Sequence, residues 1–166
     1  MKVFKMLEVA VLSLFLLPVN AQTEIPQGFK KGTINLAGGH VLSGFIRDNI
    51  RKNASITFIT GGQDKKKVYH GSDVISAEID GVKFICINGD FFKMFCEGDL
   101  SFLQKSSDAS GKPVYNGNEA SFSNGTAGKP EDYFIYSTKD KQLTLLSKKN
   151  IDQVVSSSFA GCAAAI

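Results

Sequence analysis

Ile75-Ser76-Ala77-Glu78-Ile79-Asp80-Gly81-Val82-Lys83-Phe84-Ile85-Cys86-Ile87-Asn88-Gly89-Asp90-Phe91 spells out strand, turn, strand and turn in seventeen residues. Ile75, Ala77 and Ile79 alternate with Ser76, Glu78 and Asp80, the period of a strand with one wet face. Asp80-Gly81 then supplies the two positive φ angles of a type I′ turn. With that pair as the turn, Ile79 faces Val82, Ala77 faces Phe84 and Ile75 faces Cys86 on the apolar side, while Glu78 faces Lys83 on the other. A slip of one residue would set charges against the apolar face, so the pattern specifies its own register. Asn88-Gly89 repeats the turn chemistry, and Ile85 and Ile87 make the middle strand apolar on both sides. That strand belongs in the centre of a sheet or under a helix.

The same grammar extends toward the N-terminus. Thr33-Ile34-Asn35-Leu36 and Val41 through Ile46 flank Ala37-Gly38-Gly39-His40 as an opening hairpin. Asp48 to Asn53 is a polar, basic loop, and Ala54 to Thr60 is the next strand. Lys65-Lys66-Lys67 sits at a solvated hairpin tip leading into Val68-Tyr69-His70. Toward the C-terminus, Phe91 to Cys96 fits a strand or one helical turn, and Leu100 to Leu103 is a strand. Residues 104–131 are poor in apolar side chains and are expected to form a long mobile loop, in which Gly128 needs no special backbone angle. Tyr133 to Tyr136 and Leu143 to Leu146 make a closing hairpin around Lys139-Asp140. A last helix is predicted from Asn150, its cap, with Gln153 at the capping-box position. Ile151, Val155, Phe159, Cys162 and Ile166 form an apolar stripe for packing on the sheet.

The fold class expected is therefore mainly β: an antiparallel sheet or small barrel of about eight to nine short strands with a C-terminal helix. Thirteen Phe, four Tyr, no Trp and sixteen Gly against four Pro agree with short strands joined by glycine turns. At 166 residues, 43% hydrophobic and 21% charged, the composition is that of one globular domain.

The first segment is an address. Lys2 and Lys5 precede the apolar run Val9 to Leu17, and Pro18-Val19-Asn20-Ala21 closes it with small residues, as in a secretory signal cleaved near Ala21. The division expected is signal peptide 1–21, linker 22–31 and a single β-rich domain over 32–166, secreted or periplasmic after cleavage. No later run approaches the length of a membrane span, so no transmembrane segment is expected in the mature chain. Nineteen Lys and Arg against sixteen Asp and Glu give +3, too little excess for a dedicated nucleic-acid binder. Cys86, Cys96 and Cys162 allow at most one intrachain disulfide and match no zinc spacing. No cofactor or metal is implied.

Two resemblances follow from these residues. The run Gly32 to Leu36, Gly39 to Ile46, Ile56-Thr57-Phe58 and Tyr69 through Ile79 resembles the strand rhythm of Sm-like small barrels, which implies a small-barrel shape for that third of the chain. Over most of the mature chain, the Gly-rich opening hairpin, Lys67-Val68-Tyr69, Ser72 to Ile75, Asp80-Gly81, Phe92-Lys93, Glu97 to Ser101 and Tyr133 to Tyr136 resemble a group of exported bacterial β-rich proteins. That resemblance implies no catalytic residue and no ligand.

The candidate chemistry is sparse. Cys96 beside Glu97, with His40 or His70 brought near by folding, is the one arrangement that could activate a nucleophile, whereas Cys86 and Cys162 are expected to be buried and inert. Glu97 with Asp99, and Glu131 with Asp132, are carboxylate pairs in turn-like text, where Asp and Glu ordinarily serve solvation. Lys65, Lys66, Lys67 and His70 are the candidate ligand-binding residues, to which Lys30-Lys31 and Arg51-Lys52 could add a basic patch. The function expected is a non-enzymatic exported binding or interaction module, with an envelope or extracellular glycan or protein as partner. The alternative is a small exported hydrolase using carboxylates or Cys96, which requires titratable groups to converge in one cleft.

Overall fold

The computed structural model describes residues 25–61, 65–116 and 119–158. The strands are β1 (Lys30–Leu36), β2 (Val41–Asn49), β3 (Ser55–Thr60), β4 (Lys66–His70), β5 (Val74–Ile79), β6 (Val82–Ile87), β7 (Asp90–Cys96), β8 (Leu100–Lys105), β9 (Pro113–Asn116), β10 (Glu119–Phe122), β11 (Tyr133–Ser137) and β12 (Gln142–Leu145). Two helices, α1 (Ile50–Asn53) and α2 (Ile151–Ser158), complete the described elements. Ten strands form one antiparallel sheet in the order β12-β11-β8-β7-β6-β5-β1-β2-β3-β4, and β9 and β10 pair as a separate hairpin.

The central register is the one dictated by the turns: Ile79 pairs with Val82, Glu78 with Lys83 and Ala77 with Phe84. Asp80 and Gly81 have φ of 54° and 78°, and Asn88 and Gly89 have 51° and 85°, so both turns use left-handed pairs. Ile75 departs from expectation. Asn35 pairs with Ser76 but Leu36 pairs with Val74, so Ile75 is the extra residue of a bulge. The bulge turns Ile75 outward at 55% exposure and gives its buried place to Val74.

The sheet is not a closed barrel, and it has ten strands rather than eight to nine. The physical reason lies in β6. Its Cys86 and Phe84 pack with Ile34, Ile46, Ile56, Phe58 and Ala77 in a first core. Ile85 and Ile87, on the opposite face, pack with Phe92, Leu103 and Phe134 in another. A sheet that buries one face in its first half and the other in its second has no single interior to close around.

Three further expectations meet a different local structure. Asp48 to Asn53, read as a loop, holds the end of β2 and the single turn α1, which buries Ile50; the Asp48 side chain accepts the Ile50 amide at 2.8 Å. β1 opens within the stretch read as a linker, and Phe29 is buried with Phe45 and Ile59 under the Arg47 guanidinium, 4.5 Å from the ring centroid. Residues 104–131, read as a mobile loop, contain the β9–β10 hairpin and are fastened to a buried carboxylate. Asp90 Oδ1 accepts from Ser107 Oγ and the Ala109 amide, and Oδ2 accepts from the Thr126 amide and hydroxyl, at 2.7–3.0 Å. Lys105 Nζ lies 3.2 Å from Asp90 Oδ2 and donates to the carbonyls of Thr126 and Gly128; both ion-pair side chains are fully buried. Polar side chains thus supply the order that apolar content could not.

The C-terminal helix is present, with different anchoring. Asn150 Oδ1 accepts from the Ser147 amide and hydroxyl, and its Nδ2 donates to Leu145 O, so the side chain secures the preceding turn instead of capping the helix. Ile151, first of the apolar stripe, is 44% exposed and does not face the core. Phe159, Cys162, Ile166 and the signal segment 1–21 lie outside the described residues. Among the described residues, no helix is long and apolar enough to cross a membrane.

Candidate functional site

The groups proposed for acid or nucleophile chemistry are already engaged or dispersed. Glu97 accepts Lys83 Nζ at 2.8 Å, and that carboxylate, through its hydrogen bond and its charge, holds the Lys83 ammonium above its usual pKa. Glu131 pairs with Arg51 at 2.8 Å, and Asp132 Oδ2 accepts the Lys129 amide at 2.7 Å. Asp99 contributes its backbone oxygen to Thr138. His40 is exposed beside the opening turn, while His70 borders a crevice of about 20 Å³ with Gly71 and Gly89, separate from the cavity that Glu97 lines. Among the described residues, no three of His, Cys, Asp and Glu are grouped to hold a metal ion.

Cys96 is exposed beside Glu97, and Cys86, expected to be buried, is half-buried against the first core. Burial, then the nearby Asp90 charge, pushes the Cys86 thiol far above its ordinary pKa, so it stays protonated and unreactive. Lys65, Lys66 and Lys67 are exposed at and before β4, an edge strand of the sheet, with the Lys67 ammonium 4.7 Å from the Tyr69 ring centroid. Charges on an edge discourage strand pairing. Lys30 pairs with Asp80 and Arg51 with Glu131, so two cations of the suggested basic patch are already neutralised.

The arrangement that stands out is aromatic. Phe102 of β8 and Tyr133 of β11 stack with centroids 5.4 Å apart and planes 7° from parallel. Phe95 of β7 leans on both, at 5.7 Å from Phe102 and 6.2 Å from Tyr133. Register explains the convergence. Lys93, Gln104 and Tyr133 are direct neighbours across β7, β8 and β11, and Phe102 lies beside Ile135 two positions along, in the next row on the same face. The ladder shifts between Met94 and Cys96, leaving Phe95 as an extra residue beside the row. Phe92, Leu103 and Phe134 occupy the opposite face as core, so Phe95 and Tyr133 remain 49% and 43% exposed.

Beside the rings is a cleft of about 320 Å³ lined by Asp48, Arg51, Lys93, Gln104 and Glu131. Lys93 Nζ sits 5.0 Å from the Phe95 centroid and joins cleft to rings, and Gln104 Nε2 donates to Glu131 O at 3.4 Å. Compared with protein-family models, curated proteins and solved structures, the chain matches none. The site is defined by its own geometry. A larger concavity of about 1170 Å³ crosses β2, β1 and β5, but its polar groups, Lys31, Thr33, Ser43, Glu78 and Asp80, are interrupted by Gly32 and Gly44, and its one ring, Phe45, is buried. Sequence reasoning missed the aromatic site because its members come from three strands, two of them separated by residues 106–132. The available signal was the odd-position run Lys93, Phe95 facing even-position Phe102, Gln104.

Proposed function

We propose that this protein is an exported, non-enzymatic binding module whose ligand docks on the aromatic face of β7, β8 and β11. The observation that carries this reading is the cluster of Phe95, Phe102 and Tyr133, with Phe95 and Tyr133 exposed and Phe102 half-buried, beside a polar cleft. Three contiguous rings on a rigid sheet supply large contact area at low entropic cost, and Tyr adds a polar tip. An exposed patch of this kind is costly to keep in water unless something uses it. The hydrolase alternative loses support because Glu97 and Glu131 are paired with cations and the histidines do not join Cys96 in one cleft.

The test is retention of the protein on the source organism's envelope fraction against its release into the medium. Phe95→Ala/Tyr133→Ala should keep its thermal midpoint and lose retention roughly tenfold, while Cys96→Ser and Glu97→Gln remain retained. A double variant retained like the native protein would overturn the docking surface. Loss on Glu97→Gln alone would return the case to catalysis.

A further inference from the structure

We infer that the ligand of the aromatic face is an uncharged polysaccharide, an inference that rests on the binding reading above. The cleft beside the rings is lined by three cations, Arg51, Lys93 and Lys105, and two carboxylates, Asp48 and Glu131. Lys105 is paired with the buried Asp90, so the remaining charges cancel, two against two. An anionic ligand calls for an excess of donors and positive charge. This cleft instead sets the Lys93 ammonium and the Gln104 amide beside the Asp48 carboxylate and the Arg51–Glu131 pair, whose guanidinium and carboxylate each have further hydrogen-bonding positions beyond the one they share. That mixture suits hydroxyl groups, each of which donates once and accepts twice.

The rings complete the match. A pyranose presents one face of C–H bonds, carrying slight positive charge, and a rim of hydroxyls. The C–H face suits the negative face of an aromatic ring, and the rim falls where side-chain donors and acceptors stand beside it. Here the two features lie in adjacent rows of the same ladder: Lys93, Gln104 and Tyr133 in one, Phe102 and Ile135 in the next. The three centroids lie 5.4, 5.7 and 6.2 Å apart, a compact triangle about as wide as one sugar ring, so the rings form a platform for one sugar of a chain whose neighbours run on over the cleft.

The experiment is a titration of the mature full-length protein, followed by amide and aromatic NMR and by calorimetry. The probes are uncharged hexasaccharides of glucose, xylose, mannose and N-acetylglucosamine, with hexagalacturonate as the anionic counterpart. At least one uncharged hexamer should bind saturably, shifting signals of residues 93–95, 102–104 and 133–135. Tyr133→Ala and Phe95→Ala should each weaken that binding roughly tenfold, with Tyr133→Phe close to native. Raising salt from about 0.05 to about 0.5 M should leave it unchanged. Binding of hexagalacturonate alone, weakened by salt and by Tyr133→Ala, would overturn the ligand class and keep the docking surface. Failure of every uncharged hexamer would overturn the ligand class too, and envelope retention of the double variant would then decide the surface separately. Shifts confined to other strands would overturn both.

Discussion

β7, β8 and β11 carry two sets of aromatic and aliphatic side chains on opposite faces, and the two sets have opposite fates. Phe92, Leu103 and Phe134 are buried on one face, with Phe92 and Phe134 edge to face at 5.3 Å. Phe95, Phe102 and Tyr133, one to three residues away along the same strands, stack on the other face and meet solvent. Composition and strand propensity are alike on the two sides. What differs is cover: Met94, Tyr136, Leu143 and Leu145 pack beside the first set, and Gly128, outside the sheet, lies against Phe134 and Leu145. Ring contacts within a sheet are therefore not evidence of core; burial is.

The strongest test of that contrast is truncation on each face. Phe92→Ala should cost about 3–5 kcal/mol in a denaturant titration, while Tyr133→Ala should cost under about 1 kcal/mol. Equal losses would mean that the exposed face is covered in solution. Asp90→Ala asks whether polar fastening beneath the covered face counts as core. It strands the Lys105 ammonium in a fully buried site, so a loss of about 3–5 kcal/mol is expected, with retained stability refuting the knot.

Gly128 and Gly81 sharpen the comparison at the level of backbone. Loop text predicts a smaller loss for Gly128→Val than for Gly81→Val, yet Gly128 has φ +85°, and an added Cβ would press on Asp132 Oδ2 and Phe134 Cζ at 3.0 Å. Gly81 has φ +78° with open space around it. Gly81→Val should cost about 1–2 kcal/mol for the left-handed backbone alone, and Gly128→Val more than that. The reverse order by thermal denaturation would place residues 104–131 outside the cooperative unit. The smallest effects belong to surface chemistry. Lys83→Ala, which frees Glu97, should leave the midpoint unchanged. A thiol reagent at neutral pH should label Cys96 in the native protein and spare Cys86, whose raised pKa leaves negligible thiolate; the opposite labelling would contradict its desolvation.

Much of the fold was legible because it is written locally. Asp80-Gly81 and Asn88-Gly89 set the register of β5, β6 and β7 through nearest-neighbour chemistry. Ile75 was misplaced because a bulge depends on how β1 lies against β5, which alternation within β5 does not encode. The ordering of residues 104–131 was invisible for a related reason: its donors reach Asp90 from 17 to 36 positions away. The aromatic site needed the β8–β11 pairing across that same interval. The two carboxylate pairs, Glu97 with Asp99 and Glu131 with Asp132, were legible as turn residues, and they lie outside the strands.

The carboxylate of Asp90 also has a kinetic meaning. Its two oxygens receive the amide of Ala109 on one side and the amide of Thr126 on the other, so neither proton can reach solvent while the hub is closed. The stretches from Ser107 to Ala109 and from Gly125 to Thr126 are then expected to open as one unit, not as a sequence of fraying turns. In hydrogen exchange, those two amides, seventeen residues apart and in different parts of the segment, should report a single opening free energy that disappears together in Asp90→Ala. The segment is, in folding terms, a latch with one pin.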